Sequence, residues 1–242
     1  MEGVKLMDRT DTKFCFRADQ LENVLAEVMP FYKCVEIANK RISSYQTIYY
    51  DTKELMLYYE HHNGHLNRYK IRHRTYLDSN LSFLEVKFKN NKGRTIKERI
   101  KEKDTSSILE SNANQFLTAE LPFNPNLLAP VVVINYGRIT LVNKKSAERV
   151  TIDLNLNFKK ENNNVSLDTL IIAEVKQEKK KTSAFLNTMK KFHVREGSIS
   201  KYCFAIALTH EHVKKNNFKQ KINALKNIIN YDTLTSSHRN IS

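Results

Sequence analysis

The chain has 242 residues, enough for one large domain or two small ones with a proper core, and its 40% hydrophobic and 10% aromatic content argues against disorder. Forty Lys and Arg against 26 Asp and Glu leave a net charge of +14, which points to an anionic partner: nucleic acid, anionic lipid or phosphate compounds. Cys15, Cys34 and Cys203 are odd in number and widely spaced, so they predict neither a disulfide framework nor a zinc site. The charged N-terminal stretch lacks the apolar core of a signal peptide and no apolar run is long enough to span a membrane, so the expected location is the cytoplasm.

Residues 7–16 predict a first strand, with Arg9, Asp11 and Lys13 on one face and Thr12, Phe14 and Phe16 on the other. Residues 19–29 predict an amphipathic helix with Leu21, Val24, Leu25 and Val28 as its stripe, Asp19 as N-cap and Pro30 just beyond its end. A β-branched and aromatic strand is expected over 44–50, then a short irregular or helical piece after Asp51-Thr52. Asn63-Gly64 is a turn signal leading into 66–76. There the strand period puts Arg68, Lys70, Arg72 and Arg74 on one face and Tyr69, Ile71, His73 and Thr75 on the other. In 82–90, Glu85, Lys87 and Lys89 face away from Leu84, Val86 and Phe88; in 94–101, Lys97 and Arg99 face away from Ile96 and Ile100.

Residues 106–118 read as helix, and the stretch from Pro122 to Pro130 as loop with a short helix. A strand over 131–142 carries Arg138 within an otherwise apolar run. Residues 148–157 alternate Arg149, Thr151, Asp153 and Asn155 with Val150, Ile152, Leu154 and Leu156, and a strand over 167–177 puts Glu174 and Lys176 on one face. A helix at 180–193, a loop at 196–202, a short apolar segment at 203–209, a basic helix at about 211–230 and a polar tail complete the chain. No repeat or linker divides it, so residues 1–210 are expected to form one domain, with 211–242 as basic helix and tail.

Alternation alone belongs to any half-buried sheet. Three successive strands carrying almost nothing but cations on the polar face are unusual, because like charges side by side repel unless an anion or water separates them. The sequence therefore asks for a polyanion. About eight mostly antiparallel strands, each with an apolar and a charged side, predict an α+β fold. The expected form is an eight-stranded antiparallel closed tunnel barrel with a cationic lumen and helices packed on the outside. The other arrangement is a sheet whose charged face lies in water, although such faces usually mix Thr, Ser, Glu and Lys rather than concentrate Arg. With only five glycines and neither G-x-x-x-x-G-K nor G-x-G-x-x-G, a triphosphate site here is built from side-chain cations and not from a backbone cradle.

The strings RYKIRHRTY, FLEVKFK, Tyr136-Gly137-Arg138, ERVTIDLNL, AEVK and SKYC occur in this order. Together they resemble the polyphosphate polymerase (VTC) domain, a branch of the triphosphate tunnel metalloenzyme or CYTH-like superfamily, over residues 7 to 208. The resemblance implies a tunnel that holds triphosphate or polyphosphate along its axis. It also implies transfer of the γ-phosphate of ATP to a growing polyphosphate chain, with Mn²⁺ or Mg²⁺ as cofactor. Carried over by position, it implies catalytic roles for Lys13, Arg72, Arg74, Lys87, Arg138 and Lys201. It implies phosphate binding by Lys70, Lys97, Arg99, Arg149 and Lys176, and metal binding by Glu174 and Asp11. Two positions depart from the family: Asp11 stands where Glu is common, and Ser198 where a basic residue is often found.

Arginines can fork onto phosphate oxygens while lysines act as point charges. Glu174, helped by Asp11, Glu85 or Asp153, could hold a metal that bridges phosphates. Each residue also has a plainer role: Lys87 could pair with Glu85, Glu174 could neutralise nearby arginines, and Asp153 could be a structural partner of Arg149. His61, His62 and His65 tempt a zinc reading, against which stand the intervening Asn-Gly turn and the lack of cysteines. Lys214, Lys215, Lys219, Lys221 and Lys226 of the basic helix form a solvated face, or else one that meets an anionic surface or the product chain. The partners expected are ATP and polyphosphate, not nucleic acid. Two other classes stay open: a triphosphatase of the same fold, with a carboxylate such as Glu85 activating water, and a polyanion-binding module without catalysis.

Overall fold

A computed structural model describes residues 10–103, 111–179, 181–197, 200–226 and 228. Ten strands form one antiparallel sheet. Eight follow the order β1 (Thr10–Arg17), β10 (Leu170–Gln177), β8 (Arg149–Lys160), β7 (Leu128–Asn143), β3 (Ile42–Thr52), β4 (Arg68–Tyr76), β5 (Leu81–Lys89) and β6 (Thr95–Lys101). Two short strands lie off that path: β2 (Tyr32–Cys34) on β7 and β9 (Asn163–Leu167) on β8. The eight-strand path matches the expected strand number, but the expected closed barrel is corrected. Among the described residues no ladder joins β1 to β6, so the sheet is not closed by hydrogen bonds. The edge strand β6 carries Lys97, Arg99 and Lys101, and cations on an edge resist further pairing. The sheet curls all the same, since Lys13 from β1 and Thr95 from β6 line one cavity.

On the convex side, Phe14, Ile139, Leu141, Val150, Ile152, Ala173 and Val175 are covered by Val24 and Val28 of α1 (Leu21–Val28) and by Phe185 and Met189 of α4 (Ala184–Lys191). Further along, Ile71, Leu84 and Val86 meet Leu57 of α2 (Met56–His62) and Ala113 and Leu117 of α3 (Ser111–Glu120). Each such fully buried aliphatic or aromatic side chain contributes about 1.5–3 kcal/mol. Expected Asp19 is not the cap of α1: it lies in a 3-10 turn at 18–20 and accepts Arg17 Nε at 2.9 Å. Residues 7–9, with Arg9, residues 104–110, Lys180 and Ser198 fall outside the described residues.

Not all helices are outside. The apolar segment 203–209 is part of a helix, α5 (Lys201–Thr209), in which seven of nine residues are buried. It packs against Val132, Ile134, Leu156 and Phe158 on the face that carries the cations. The cause is a β-bulge. Asn155 adopts φ +52°, and the β7–β8 register shifts between Asn135 and Gly137. A bulge adds one residue to one strand and reverses its alternation. Val150 and Ile152 therefore point to the convex side, whereas Leu156, expected beside them, points to the concave side with Phe158. This leaves an apolar patch that α5 covers. The basic C-terminal segment makes a shorter helix than expected, α6 (Lys219–Lys226), with Leu225 buried in the same cluster. No helix among the described residues is long and apolar enough to cross a membrane.

Candidate functional site

Interstrand register arranges the cations in rows. Lys70 stands opposite Lys87, and Lys87 opposite Lys97; the next row is Arg72, Glu85 and Arg99. On the other arm of the sheet, Thr151, Glu174 and Lys13 form one row and Arg149, Lys176 and Asp11 another, while Arg138 faces Asp153.

Three carboxylates stand in this field, each gripped by two cations. Glu85, 0% exposed, accepts Arg72 Nη2 at 2.5 Å and Nε at 2.6 Å and pairs with Lys97. Asp153, 2% exposed, accepts a fork from Arg138 (Nε at 2.5 Å, Nη2 at 2.8 Å) and pairs with Lys201. Glu174 meets Lys176 at 2.6 Å and Lys13 at 3.2 Å, and Lys176 also reaches Asp11 at 3.2 Å. Burial by itself would raise all three carboxyls, but the cations prevail. Arg72, Arg74 and Lys97 hold Glu85 down to about 2, and Lys201 and Arg138 hold Asp153 down to about 2. Lys176 and Lys13 hold Glu174 well below the usual carboxylate range.

Cations remain in excess. Arg74, buried, donates to Thr47 Oγ1 at 3.4 Å, with its guanidinium 5.8 Å from the Tyr45 ring centroid; among the described residues it pairs with no carboxylate. Lys87 does not pair with Glu85, because Arg72 and Lys97 occupy that carboxylate. Arg72 first, then burial and Arg74, push Lys87 well below the ordinary lysine range, and burial lowers Lys70 and Lys97. Arg149 is exposed and is not the partner of Asp153, which Arg138 and Lys201 take instead. Arg99 is exposed as well, its guanidinium 4.6 Å from the Phe83 ring centroid.

A cavity of about 330 Å³ opens beside the lysine row, lined by Lys13, Arg68, Lys70, Lys87, Lys89 and Lys221, with no carboxylate in its wall. Of the expected residues it gathers Lys13, Lys70 and Lys87. The sequence places Arg68 and Lys89 on the cationic faces but not among the site residues, and Lys221 only on a basic helix with the product chain as one candidate partner. Arg68 and Lys89 share the strand parity of Arg72 and Lys87, but only the register that sets them opposite each other, and the fold of α6, reveal them as neighbours. His61 lines this cavity, its Nε2 contacting Tyr69 O at 3.0 Å and burial pushing its pKa down to about 2, while His62 Nε2 accepts Asn217 N–H at 3.3 Å.

Asp11 and Glu174 lie on neighbouring strands and share Lys176. Among the described residues no third His, Cys, Asp or Glu gathers with them. Two carboxylates without a closed cage fit a hard divalent cation that takes its remaining ligands from phosphate oxygens and water. Glu85 and Asp153 are fully buried and bound by the guanidinium groups of Arg72 and Arg138, which leaves no room for a hydrated cation, whereas Glu174 is partly exposed and held only by lysines.

Known structures share this fold. A putative adenylate cyclase from Bacillus halodurans superposes with a TM-score of 0.54 at 10% identity, covering 85% of this chain and 100% of its own. A putative adenylyl cyclase from Hippeastrum, described as having a dominant triphosphatase activity, superposes with a TM-score of 0.55 at 11% identity, covering 85% and 98%. A putative adenylate cyclase from Vibrio parahaemolyticus gives 0.51 at 11%, covering 83% and 99%. These likenesses show a shared fold. Residues 8–210 match the family model of the VTC domain, and the chain belongs to that family. No curated protein matches it in sequence.

Proposed function

We propose that the protein is a polyphosphate polymerase that transfers the γ-phosphate of ATP to the end of an inorganic polyphosphate chain in its cationic cavity. The observation that carries this reading is the ion pairing of the site, in which Glu85, Asp153 and Glu174 each face two cations. Glu85 and Asp153 are held at about 2 and Glu174 well below its ordinary range, so none is a ready general base. A terminal phosphate is already anionic near neutral pH and needs no base, whereas water does. The excess cations suit an acceptor and donor that are both anions.

Phosphoryl transfer depends on alignment and on stabilising charge over the transferring group. Arg74 presents a fork that no carboxylate among the described residues takes, and Lys13 and Lys87 supply point charges; Arg72, Arg138 and Lys201, now paired with Glu85 and Asp153, would turn in part from those carboxylates to phosphate oxygens. Lys70, Lys97 and Lys176 extend the cationic track, and Arg99 and Arg149 stand at its exposed rim. Glu174 and Asp11 would hold the divalent cation, which when bound neutralises and orients phosphate oxygens. Lys176, now shared by both carboxylates, would turn to phosphate instead. A hydrolase of the same fold is the second reading, favoured only if some carboxylate escapes its cations once substrate is bound.

Incubation with ATP and Mn²⁺ or Mg²⁺, resolved on a polyphosphate-staining gel, tests this. A ladder of chains abolished by Arg74→Ala and by Glu174→Ala is expected. Orthophosphate release from triphosphate without a ladder would replace the polymerase by the hydrolase.

A further inference from the structure

Among the described residues, one fully buried carboxylate near the site faces no cation. Asp51, at the end of β3, is 0% exposed. Its Oδ1 accepts the N–H groups of Thr52 at 2.7 Å and Leu57 at 2.8 Å; its Oδ2 accepts the N–H of Tyr58 at 2.9 Å and the hydroxyl of Tyr202. The amides of Leu57 and Tyr58 tie down the start of α2, and that of Thr52 belongs to the end of β3. The fourth bond crosses to α5, where Tyr202 follows Lys201.

Tyr202 is connected to both arms of the site. Its ring lies on that of Tyr49, centroids 5.0 Å apart at 26°, and the Tyr49 hydroxyl accepts Arg72 Nη1 at 3.2 Å. One residue earlier, Lys201 pairs with Asp153 on β8, with its ammonium 5.2 Å from the Tyr136 ring centroid. A phenylalanine would fill the same apolar space, but only a tyrosine can fix the helix rotation through a buried hydroxyl, and such a hydroxyl is costly without an acceptor.

We propose that Asp51 is a positioning residue: through the Tyr202 hydroxyl it sets the rotation of the first turn of α5 and so holds Lys201 at Asp153, beside Arg138. This rests on the reading of the site as a phosphoryl-transfer centre, in which Lys201 touches substrate and Asp51 does not. A lysine side chain has four rotatable bonds, so without a fixed root its ammonium samples many positions, and small misplacement of a group that stabilises charge costs rate steeply.

The test uses two readouts. The lysines are reductively methylated with ¹³C, and the Lys201 signal is assigned by its loss in Lys201→Arg. Tyr202→Phe is expected to move that signal toward the position of exposed lysines; an unchanged signal overturns the proposal whether or not the protein makes polymer. Where the wild type makes polymer, Tyr202→Phe is expected to slow it roughly ten-fold at saturating ATP. The same change in a Lys201→Ala background is expected to have little further effect, since both act through one group. Full multiplication of the two losses would refute the positioning role. Should Tyr202→Phe fail to fold, Asp51→Asn, which keeps an acceptor for the α2 amides, is measured in the same way with the same criteria. A wild type that makes no polymer, yet loses the Lys201 signal position in Tyr202→Phe, would remove the polymerase and leave the positioning contact standing.

Discussion

At the scale of single residues, the site is a contest between burial and charge. Glu85 and Asp153 are both shut away from water, and burial alone would raise the pKa of each. Arg72 and Lys97 around the one, and Arg138 and Lys201 around the other, reverse that and bring both to about 2. A carboxyl whose folded pKa lies below its unfolded value near 4 stabilises the fold fully above that value, and the stabilisation is lost as pH falls through the folded pKa. Each group then contributes about 2–3 kcal/mol that disappears between about pH 4.5 and pH 2. Urea unfolding followed from pH 6 to pH 2 is expected to show the midpoint falling steeply in that window, and less so in Asp153→Asn. A profile as flat as that of the variant would mean that Arg138 and Lys201 do not stabilise the charged form. Removing one partner from a buried pair leaves the other uncompensated, so Asp153→Ala is expected to cost about 3–5 kcal/mol at neutral pH. Arg99→Ala, at an exposed rim, is expected to leave stability within about 0.5 kcal/mol.

At the scale of elements, the bulge in β8 decides what the concave face is made of. Before Asn155 the strand turns Thr151 and Asp153 to the concave face; after it, Leu156 and Phe158. One residue in the left-handed region converts a polar wall into an apolar floor, and α5, with seven of its nine residues buried, covers that floor. Asn tolerates this conformation, Gly adopts it freely, and a β-branched residue resists it. Asn155→Val is therefore expected to lose about 1–3 kcal/mol in chemical denaturation, with Asn155→Gly close to the wild type. Equal stability of both variants would show that the bulge is not held by this residue. The motif strings were legible because strand parity alone places Arg72, Arg74 and Lys87 on one face. The bulge was not, since Asn155 continues the polar alternation of the strand and nothing nearby marks a left-handed residue.

At the scale of the whole molecule, a net charge of +14 meets a curled sheet that concentrates many of its cations on one face. Such a fold stores mutual repulsion, which an anion relieves. Inorganic tripolyphosphate without metal is expected to raise the unfolding temperature: at about a hundred-fold excess over Kd, linkage amounts to about 2.7 kcal/mol, or about 5–11 °C for a chain of this size. The shift should shrink markedly between about 0.05 and 0.5 M salt, because partly exposed lysines are screened. An unchanged melting curve at low salt would argue against any polyphosphate ligand, polymerised or cleaved. A shift that survives high salt would place the binding energy in the buried Arg72, Arg74 and Arg138 and not in the lysine rim.

The amino-acid sequence by itself determined the strand faces outside the β8 bulge, the concentration of cations on three of them, the absence of a glycine cradle and the motif order that marks the VTC family. These are local or compositional properties, and period and charge can be counted along a chain. Only the tertiary structure decided which charges meet. Asp153 lies four residues from Arg149, yet it is bound by Arg138 and Lys201, because antiparallel register and the packing of α5 set distances that sequence separation does not. The same holds for the open edge between β1 and β6, for the place of α5 on the charged face, and for the bond from Asp51 to Tyr202 across 151 residues of chain. Each follows from long-range packing around a bulge and a curled sheet, and so from contacts that no window of sequence contains.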